Sequence, residues 1–158
     1  LLELGVQDGE SLDLWTEMFP HAKIIGVDIL RRDYLTRGNV TVMCCEQTDP
    51  EILKHGPFDV IIDDGSHMMS DQQKSFQLLY PSLNPGGLYI IEDIETSYWS
   101  EFQDTSPTTV EFLKERVDDL QVNAMRNGRC GKGYGWSYQR EYELTSITFY
   151  ENLCVIRK

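Results

Sequence analysis

Residues 58–93, FDVIIDDGSHMMSDQQKSFQLLYPSLNPGGLYIIED, carry the clearest indication of the fold class. It contains two short apolar runs, 58–62 and 87–91, and each is followed at once by a pair of acids. Between them lies a segment with helical spacing of its apolar residues. Short apolar runs bounded by turn residues are typical of buried strands. A strand, a helix and a strand in series predict a parallel sheet that is covered on both faces.

The same alternation extends in both directions along the chain. Strands are predicted at 1–4, 23–27, 40–43, 58–62 and 87–91, and helices at 11–19 (with Ser11 as N-cap), 49–54, 69–83 and 108–127. The last helix carries its apolar residues at Val110, Leu113, Val117, Leu120 and Ala124. Residues 144–158 read as two strands around Glu151-Asn152, and a connection this short allows only an antiparallel hairpin. We therefore predict a single α/β domain over 1–158, with a mostly parallel sheet and helices on both faces.

Composition excludes several classes of partner. The formal net charge of -12 argues against nucleic acid and anionic membrane surfaces. No apolar run is long enough to span a membrane. The four cysteines lack C-x-x-C spacing, which predicts reduced thiols in a cytoplasmic protein. The opening LLELG reads as the second half of a strand, so we expect an N-terminal segment to precede this sequence; the oligomeric state stays open, a homo-oligomer included.

A glycine loop and an acid predict a nucleoside-type ligand. ELGVQDG, residues 3–9, joins the first strand to the first helix, and its glycines would let backbone approach a ligand. Asp28 ends the next strand, where a carboxylate suits a ribose diol. The loop lacks a complete G-x-G-x-x-G, which disfavours a nicotinamide cofactor.

The two acidic pairs, Asp63-Asp64 and Glu92-Asp93, should face one cleft because ligands of parallel sheets bind at the carboxyl ends of the strands. Crowded carboxylates repel one another unless a cation lies between them, and oxygen ligands favour Mg²⁺, with Ca²⁺ or Mn²⁺ as alternatives. Because side chains alternate along a strand, one acid of each pair can instead cap a turn. His67 stands at the mouth of this cleft and is a candidate catalytic residue, whereas His21 and His55 are expected to be structural.

The glycine loop, Asp28 and the closing hairpin together resemble the class I S-adenosylmethionine-dependent methyltransferases. Their sheet has seven strands, parallel except for one strand inserted by a terminal hairpin. The resemblance implies that Glu3, Gly5 and Asp28 bind the cofactor. CEQTDPE resembles the stretch near the adenine and implies Gln47 and Thr48 as contacts, although a plain loop before the helix at 49–54 is the alternative.

A narrower resemblance covers essentially the whole chain. IIDDGSH, NPGGLYIIEDIETSYW, TTVEFLKERVDDL and ITFYENLCVI resemble the bacterial sugar O-methyltransferases that tailor glycosylated polyketides, the mycinamicin and tetracenomycin rhamnose enzymes. It implies Mg²⁺ as a second cofactor, held by Asp64, Glu92 and Asp93. It also implies His67 as the general base and a glycoside as the small-molecule acceptor, and we assign Asp63 to the cofactor.

Two segments depart from the family pattern. Asp71 stands where the family carries a second histidine, and the glycine-rich segment 128–135, a loop or lid candidate, has no counterpart in the pattern. Tyr98 and Trp99 are predicted either to cover the substrate or to pack in the core. The sequence therefore predicts a Mg²⁺-dependent sugar O-methyltransferase. A catechol or small-phenol methyltransferase on the same fold and a non-catalytic cofactor-binding homologue are the alternatives.

Overall fold

A computed structural model describes residues 1–124 and 142–158. Its strands are β1 (Leu2–Leu4), β2 (Ile24–Asp28), β3 (Val40–Cys44), β4 (Phe58–Asp63), β5 (Leu83–Ile91), β6 (Ser146–Phe149) and β7 (Cys154–Arg157). Its α-helices are α1 (Glu10–Met18), α2 (Met69–Leu79) and α3 (Thr109–Ala124). The strands form one seven-stranded sheet in the order β3-β2-β1-β4-β5-β7-β6.

Strands β1 to β5 pair in parallel, and β7 pairs antiparallel with both β5 and β6. The hairpin turns at Glu151-Asn152, where Tyr150 N–H donates to the Leu153 carbonyl at 2.8 Å. The predicted hairpin and the predicted fold class are therefore confirmed.

The core has two clusters, because successive side chains of a strand point to opposite faces. In β2, Ile24 packs in the cluster with Leu12 of α1, whereas Ile25 packs in the larger cluster with Phe76 of α2 and Leu113 of α3. Helices therefore cover both faces, as predicted.

Two predicted helix boundaries are wrong. Helix α1 begins after Gly9, which adopts φ 84° and makes no side-chain cap, so Ser11 is not the N-cap. Helix α2 ends at Leu79 because Pro81, which cannot donate a backbone hydrogen bond, opens a short 3₁₀ turn. Leu83, predicted as the end of the helix, instead begins β5 and pairs with Phe58.

Most of the apolar side chains predicted for one face of α3 pack in the core. Leu113 is buried, and Val110 and Leu120 pack against the larger cluster, whereas Val117 is 38% exposed. Thr108 caps this helix by accepting the Glu111 N–H at 3.1 Å, and Phe112 and Arg116 are also buried. The end predicted for this helix at Asn127 and the glycine-rich segment 128–135 lie outside the described residues.

The short helix predicted at 49–54 is present as a 3₁₀ helix. Asp49 caps the short 3₁₀ helix Pro50–His55 by accepting the Glu51 N–H at 2.8 Å. In the described part of the chain, Cys44, Cys45 and Cys154 are free thiols, and burial raises the pKa of Cys154 to about 12. Among the helices of residues 1–124 and 142–158, none is long and apolar enough to cross a membrane.

Candidate active site

The carboxyl ends of four parallel strands meet at one edge of the sheet. Leu4 of β1 is in register with Val27 of β2 and with Asp63 of β4, which is in register with Ile91 of β5. The loops after these strands therefore lie side by side. We call residues 5–9, Asp28 and Gln47 the glycine side of this edge. The acidic side comprises Asp64, His67, Glu92 and Asp93.

On the glycine side, Gly5 is required by close packing against the chain. It adopts φ 82°, and a Cβ there would lie 2.0 Å from the carbonyl oxygen of Asp64. A side chain at this position would separate the loops that follow β1 and β4. The absence of a side chain at Gly5 therefore allows the loops that follow β1 and β4 to touch, and Gly5 also lines a cavity.

Asp28 fixes the shape of the glycine loop. One carboxylate oxygen accepts the Gln7 N–H at 3.0 Å, and the other accepts the Leu30 N–H at 2.8 Å. Gln7 itself adopts a positive φ of 43°. Each carboxylate oxygen can accept further hydrogen bonds, so Asp28 can hold the loop and a vicinal diol together.

A cavity of about 160 Å³ opens beside Asp28. Its lining includes Gly5, Cys45, Glu46 and Gln47. Cys45 and Glu46 were not singled out from the sequence, although both belong to the CEQTDPE stretch. Thr48 is half-buried and lies outside this lining.

Gln47 and Asp63 form a buried network below this cavity. The Gln47 amide donates to Asp63 Oδ1 and to Ser75 Oγ, each at 3.0 Å, and accepts the Ser66 N–H at 2.7 Å. Asp63 is only 1% exposed, and the Tyr89 hydroxyl also donates to it, at 3.3 Å. Burial raises the pKa of Asp63 to about 7. Asp63 therefore lies behind the cavity lining and is hydrogen-bonded to two of the lining residues, Gln47 and Gly65.

Glu3 lies on β1 beneath both sides and is 3% exposed. Its carboxylate accepts the Trp15 indole N–H at 3.2 Å. Burial is the main cause that raises the pKa of Glu3, and the charges of Asp64 and Glu92 raise it further.

On the acidic side, three predicted residues converge. Ligand atoms of Asp64, His67 and Asp93 lie within 4.8 Å of one another, and His67 Nε2 is 3.6 Å from Asp93 Oδ2. His67 adopts φ 58° and Asp93 adopts φ 52°, a region that L-residues with side chains rarely occupy. Such conformations cluster at functional sites.

Glu92 lies next to this cluster but outside it. Its N–H donates to the Asp63 carbonyl at 2.9 Å, and its own carbonyl accepts from the Gln72 amide at 3.1 Å. Burial, followed by the charges of Asp64 and Asp93, raises the pKa of Glu92.

The electrostatics of the acidic side fit a hard divalent cation. Burial and the charge of Asp93 raise the pKa of Asp64, while His67 opposes that shift. Within residues 1–124 and 142–158, no Lys or Arg forms a salt bridge with Asp64, Glu92 or Asp93. Oxygen donors with uncompensated charge are the ligands that Mg²⁺ prefers.

Thr96 is a residue of this site that the sequence reasoning missed. Its hydroxyl lies 3.2 Å from the His67 carbonyl and 2.6 Å from the Asp93 carbonyl, and the side chain is 3% exposed. One buried hydroxyl therefore contacts the backbone of both residues of the acidic side that have a positive φ. No motif in the sequence marks Thr96, because both of its partners are backbone atoms.

The remaining candidates have other surroundings. Asp71 accepts the Ser66 hydroxyl at 2.8 Å and does not belong to the acidic cluster. Tyr98 and Trp99 are exposed, so core packing does not account for them. The ring of Phe102 lies 6.3 Å from His67 and 6.0 Å from Trp99. His21 and His55 line a separate cavity near the first residue of the chain, away from this site.

No family model matches the chain. Comparison with individual curated proteins does find relatives, and those described below are O-methyltransferases. The chain is 36% identical over 159 residues to 8-demethyl-8-alpha-L-rhamnosyl tetracenomycin-C 2'-O-methyltransferase of Streptomyces olivaceus, covering 95% of this chain and 41% of that protein. It is 37% identical over 139 residues to mycinamicin VI 2''-O-methyltransferase of Micromonospora griseorubida, covering 77% of this chain and 35% of that protein. The chain thus spans less than half the length of these curated relatives.

A solved structure agrees with the sequence relatives. MycE methyltransferase from the mycinamycin biosynthetic pathway, in complex with Mg and SAH, superposes with a TM-score of 0.82 and 31% identity. The match covers 99% of this chain and 44% of that one. A putative caffeoyl-CoA O-methyltransferase from Staphylococcus aureus, at 14% identity and a TM-score of 0.58, shares the fold alone.

Proposed function

The chain is a homologue of the bacterial sugar O-methyltransferases of glycosylated polyketide pathways and has their class I fold, and from this premise we propose that it catalyses methyl transfer from S-adenosylmethionine to a sugar hydroxyl with the help of Mg²⁺. The observation that carries the proposal is the meeting of Asp64, His67 and Asp93 beside the glycine loop and Asp28. We also propose a cytoplasmic location, because the described cysteines are free thiols.

The cofactor would lie on the glycine side. Asp28 would accept hydrogen bonds from its ribose, and Glu3 would face its methionine part. Gln47 would support the loop at residues 65–66, which lines the cavity. When bound, S-adenosylmethionine supplies the electrophilic methyl group that the acceptor oxygen attacks.

Asp64 and Asp93, which belong to the cluster, would hold the metal, and Glu92, which lies next to the cluster, would be the third ligand. When bound, Mg²⁺ supplies a Lewis acid that lowers the pKa of an acceptor hydroxyl. Through the metal, these carboxylates would place the acceptor on the acidic side, next to the glycine side.

His67 would act as the general base. Its Nε2 faces the acidic cluster and would take the proton of the acceptor hydroxyl. The Thr96 hydroxyl contacts the carbonyl of His67 and so supports the backbone, with its positive φ, from which the imidazole extends. The oxygen that has lost its proton would attack the methyl carbon directly, the methyl–sulfur bond would break, and S-adenosylhomocysteine would leave, with no covalent enzyme intermediate.

The test is methyl transfer measured over a panel of glycosides and a panel of catechols, each with Mg²⁺ or with excess chelator. We expect transfer to glycosides that disappears in chelator and returns with Mg²⁺. Asp93→Asn should abolish the return, whereas Asp59→Asn, a control acid near the other end of β4, should keep it. Preference for catechols would identify a phenol methyltransferase, and cofactor binding without turnover would identify a non-catalytic homologue. Full turnover in chelator would contradict the role of the metal.

A further inference from the structure

A second cavity, of about 450 Å³, opens at the same edge of the sheet. It is lined by Ile94 and Tyr98, from the segment that follows β5, by Val110 of α3, and by Phe149 and Tyr150 at the end of β6. Because β7 is antiparallel to β5, the turn of the hairpin lies at the carboxyl edge of the parallel strands.

The cavity is joined to the acidic side through the backbone. Ile94 directly follows Asp93, and its N–H donates to the Asn152 carbonyl of the hairpin turn at 3.0 Å. The lining of the cavity therefore begins at Ile94, one residue after Asp93.

The walls of the cavity are aromatic and face water. Tyr98 is 65% exposed, Tyr150 is 59% exposed and Phe149 is 38% exposed. A concave surface lined by clustered aromatic side chains is a binding site more often than an average part of a protein surface is. The volume and mostly apolar lining match those of sites for small organic molecules.

The charges at the cavity disfavour an anionic ligand. Glu95 and Glu151 contribute carboxylates to the lining, and Lys114 is paired with Glu111 at 2.6 Å. An uncharged, largely apolar ligand is the chemistry that fits.

We propose that this cavity binds the apolar aglycone of the acceptor while its sugar reaches the acidic side. The inference rests on the proposed function and extends it, because it assigns the selection of the acceptor to Tyr98, Phe149 and Tyr150. Contact with these rings removes apolar surface of the aglycone from water. The sugar hydroxyls are then positioned by the metal ligands and the aglycone by the aromatic walls.

The test compares two acceptors that share one sugar. Methyl rhamnoside has no aglycone beyond a methyl group, and a rhamnoside of a polycyclic aromatic alcohol has a large apolar one. Methyl transfer to both is measured with the full chain and with Tyr98→Ala and Tyr150→Ala. The matched control is Tyr34→Ala, since Tyr34 is also 65% exposed but lies between β2 and β3, at the other end of the sheet order.

We expect each cavity variant to raise KM for the aromatic rhamnoside by about tenfold, with kcat within about twofold. KM for methyl rhamnoside should not change, and Tyr34→Ala should resemble the wild type for both acceptors. Equal effects on the two acceptors, or no effect on either, would overturn the inference; in the second case the aromatic surface would suit a protein partner instead.

Calorimetry separates this inference from the proposed function. Binding of the aromatic rhamnoside to the chain loaded with Mg²⁺ and S-adenosylhomocysteine should be weakened by Tyr98→Ala. If no glycoside is methylated but this Tyr98-dependent binding remains, the proposed reaction fails and the apolar site stands. If glycosides are methylated but binding does not depend on Tyr98 or Tyr150, only the inference fails.

Discussion

The glycine side and the acidic side lie at one edge of one sheet, but they are stabilised in different ways. On the glycine side, both oxygens of Asp28 accept backbone N–H groups, and the amide of Gln47 is hydrogen-bonded to Asp63, Ser75 and Ser66. On the acidic side, the described residues give Nδ1 of His67 no hydrogen-bond partner.

The glycine side and the acidic side also differ in how their charges are compensated. Burial and neighbouring carboxylates raise the pKa of Asp64 and of Glu92, which means that their charged forms are disfavoured where they stand. Neutral N–H donors of the chain itself therefore fix the conformation of the glycine side. The acidic side is a group of like charges that a cation would compensate. Its backbone has positive φ at His67 and Asp93 and is contacted by the Thr96 hydroxyl.

The largest effect that separates the two sides is expected for His67→Ala. General-base catalysis is worth about 10²–10⁴ in rate, so turnover should fall by that order while S-adenosylhomocysteine still binds on the glycine side. Stopped or continuous methyl-transfer assays measure the turnover, and calorimetric titration with S-adenosylhomocysteine measures the binding.

His55→Ala is the control for this change, because His55 lies away from the site. If a folded His67→Ala protein keeps its rate within a few-fold, the base is another residue. Asp71 would be tested next, since it lies in the first turn of α2 and accepts from Ser66.

Asp28→Ala should have the next largest effect, and on the opposite side. The change removes charge-assisted hydrogen bonds worth roughly 1.5–3 kcal/mol, which corresponds to about 10–150-fold in affinity for S-adenosylhomocysteine. Mg²⁺ affinity should not change, because Asp28 is not part of the acidic side. Calorimetric titrations with each ligand test this, with Asp33→Ala as an exposed acidic control. A loss of Mg²⁺ binding in Asp28→Ala would show that the two sides are not independent.

Thr96→Val should have a smaller effect, confined to the acidic side. The change removes a hydroxyl that contacts the carbonyls of His67 and Asp93 and leaves a side chain of similar shape. A neutral hydrogen bond contributes about 0.5–1.5 kcal/mol, so Mg²⁺ affinity should fall by about 2–10-fold with little change in S-adenosylhomocysteine affinity. Thr96→Ser should restore Mg²⁺ binding. If serine fails to restore it, the packing of the methyl group matters and the hydroxyl does not.

The smallest effect is expected for Glu3→Gln, beneath both sides. Burial raises the pKa of Glu3 above its ordinary value of 4.5, so the folded protein favours the protonated carboxyl. This contribution to stability is complete below the ordinary value and is lost as pH rises through the raised one. The glutamine stays uncharged, so the variant should gain stability relative to the wild type as pH rises across this window. Thermal unfolding of ligand-free protein at several pH values measures the difference, and a difference independent of pH would contradict it.

The fold was predictable because strand and helix periods are local properties. Five parallel strands, the closing hairpin and the helices on both faces all follow from apolar spacing and turn residues. The errors lie at boundaries, where a longer-range contact decides. Leu83 reads as the last apolar residue of a helix, but it pairs with Phe58 in the sheet.

The residues of the site were also marked in the sequence, since acids that end neighbouring parallel strands must meet at one edge. The sequence did not show that these acids have different surroundings. Asp63 and Asp64 are adjacent and identical in type, yet Asp63 is buried behind Gln47 and Asp64 belongs to the cluster with His67. Side chains at successive strand positions point in opposite directions, and only the register of β4 shows which one reaches the cleft.

The order of the elements, the edge of the sheet at which the candidate site lies and the kinds of side chain gathered there all follow from local sequence patterns. The folded chain was needed to show that Gly5 makes room for the Asp64 carbonyl, that Thr96 contacts the backbone of both His67 and Asp93, and that Tyr98 and Tyr150 line one cavity. These contacts join backbone atoms or side chains from distant segments, which no local pattern shows. Every residue has the same backbone carbonyl, so the sequence does not show which side chain will contact a particular one.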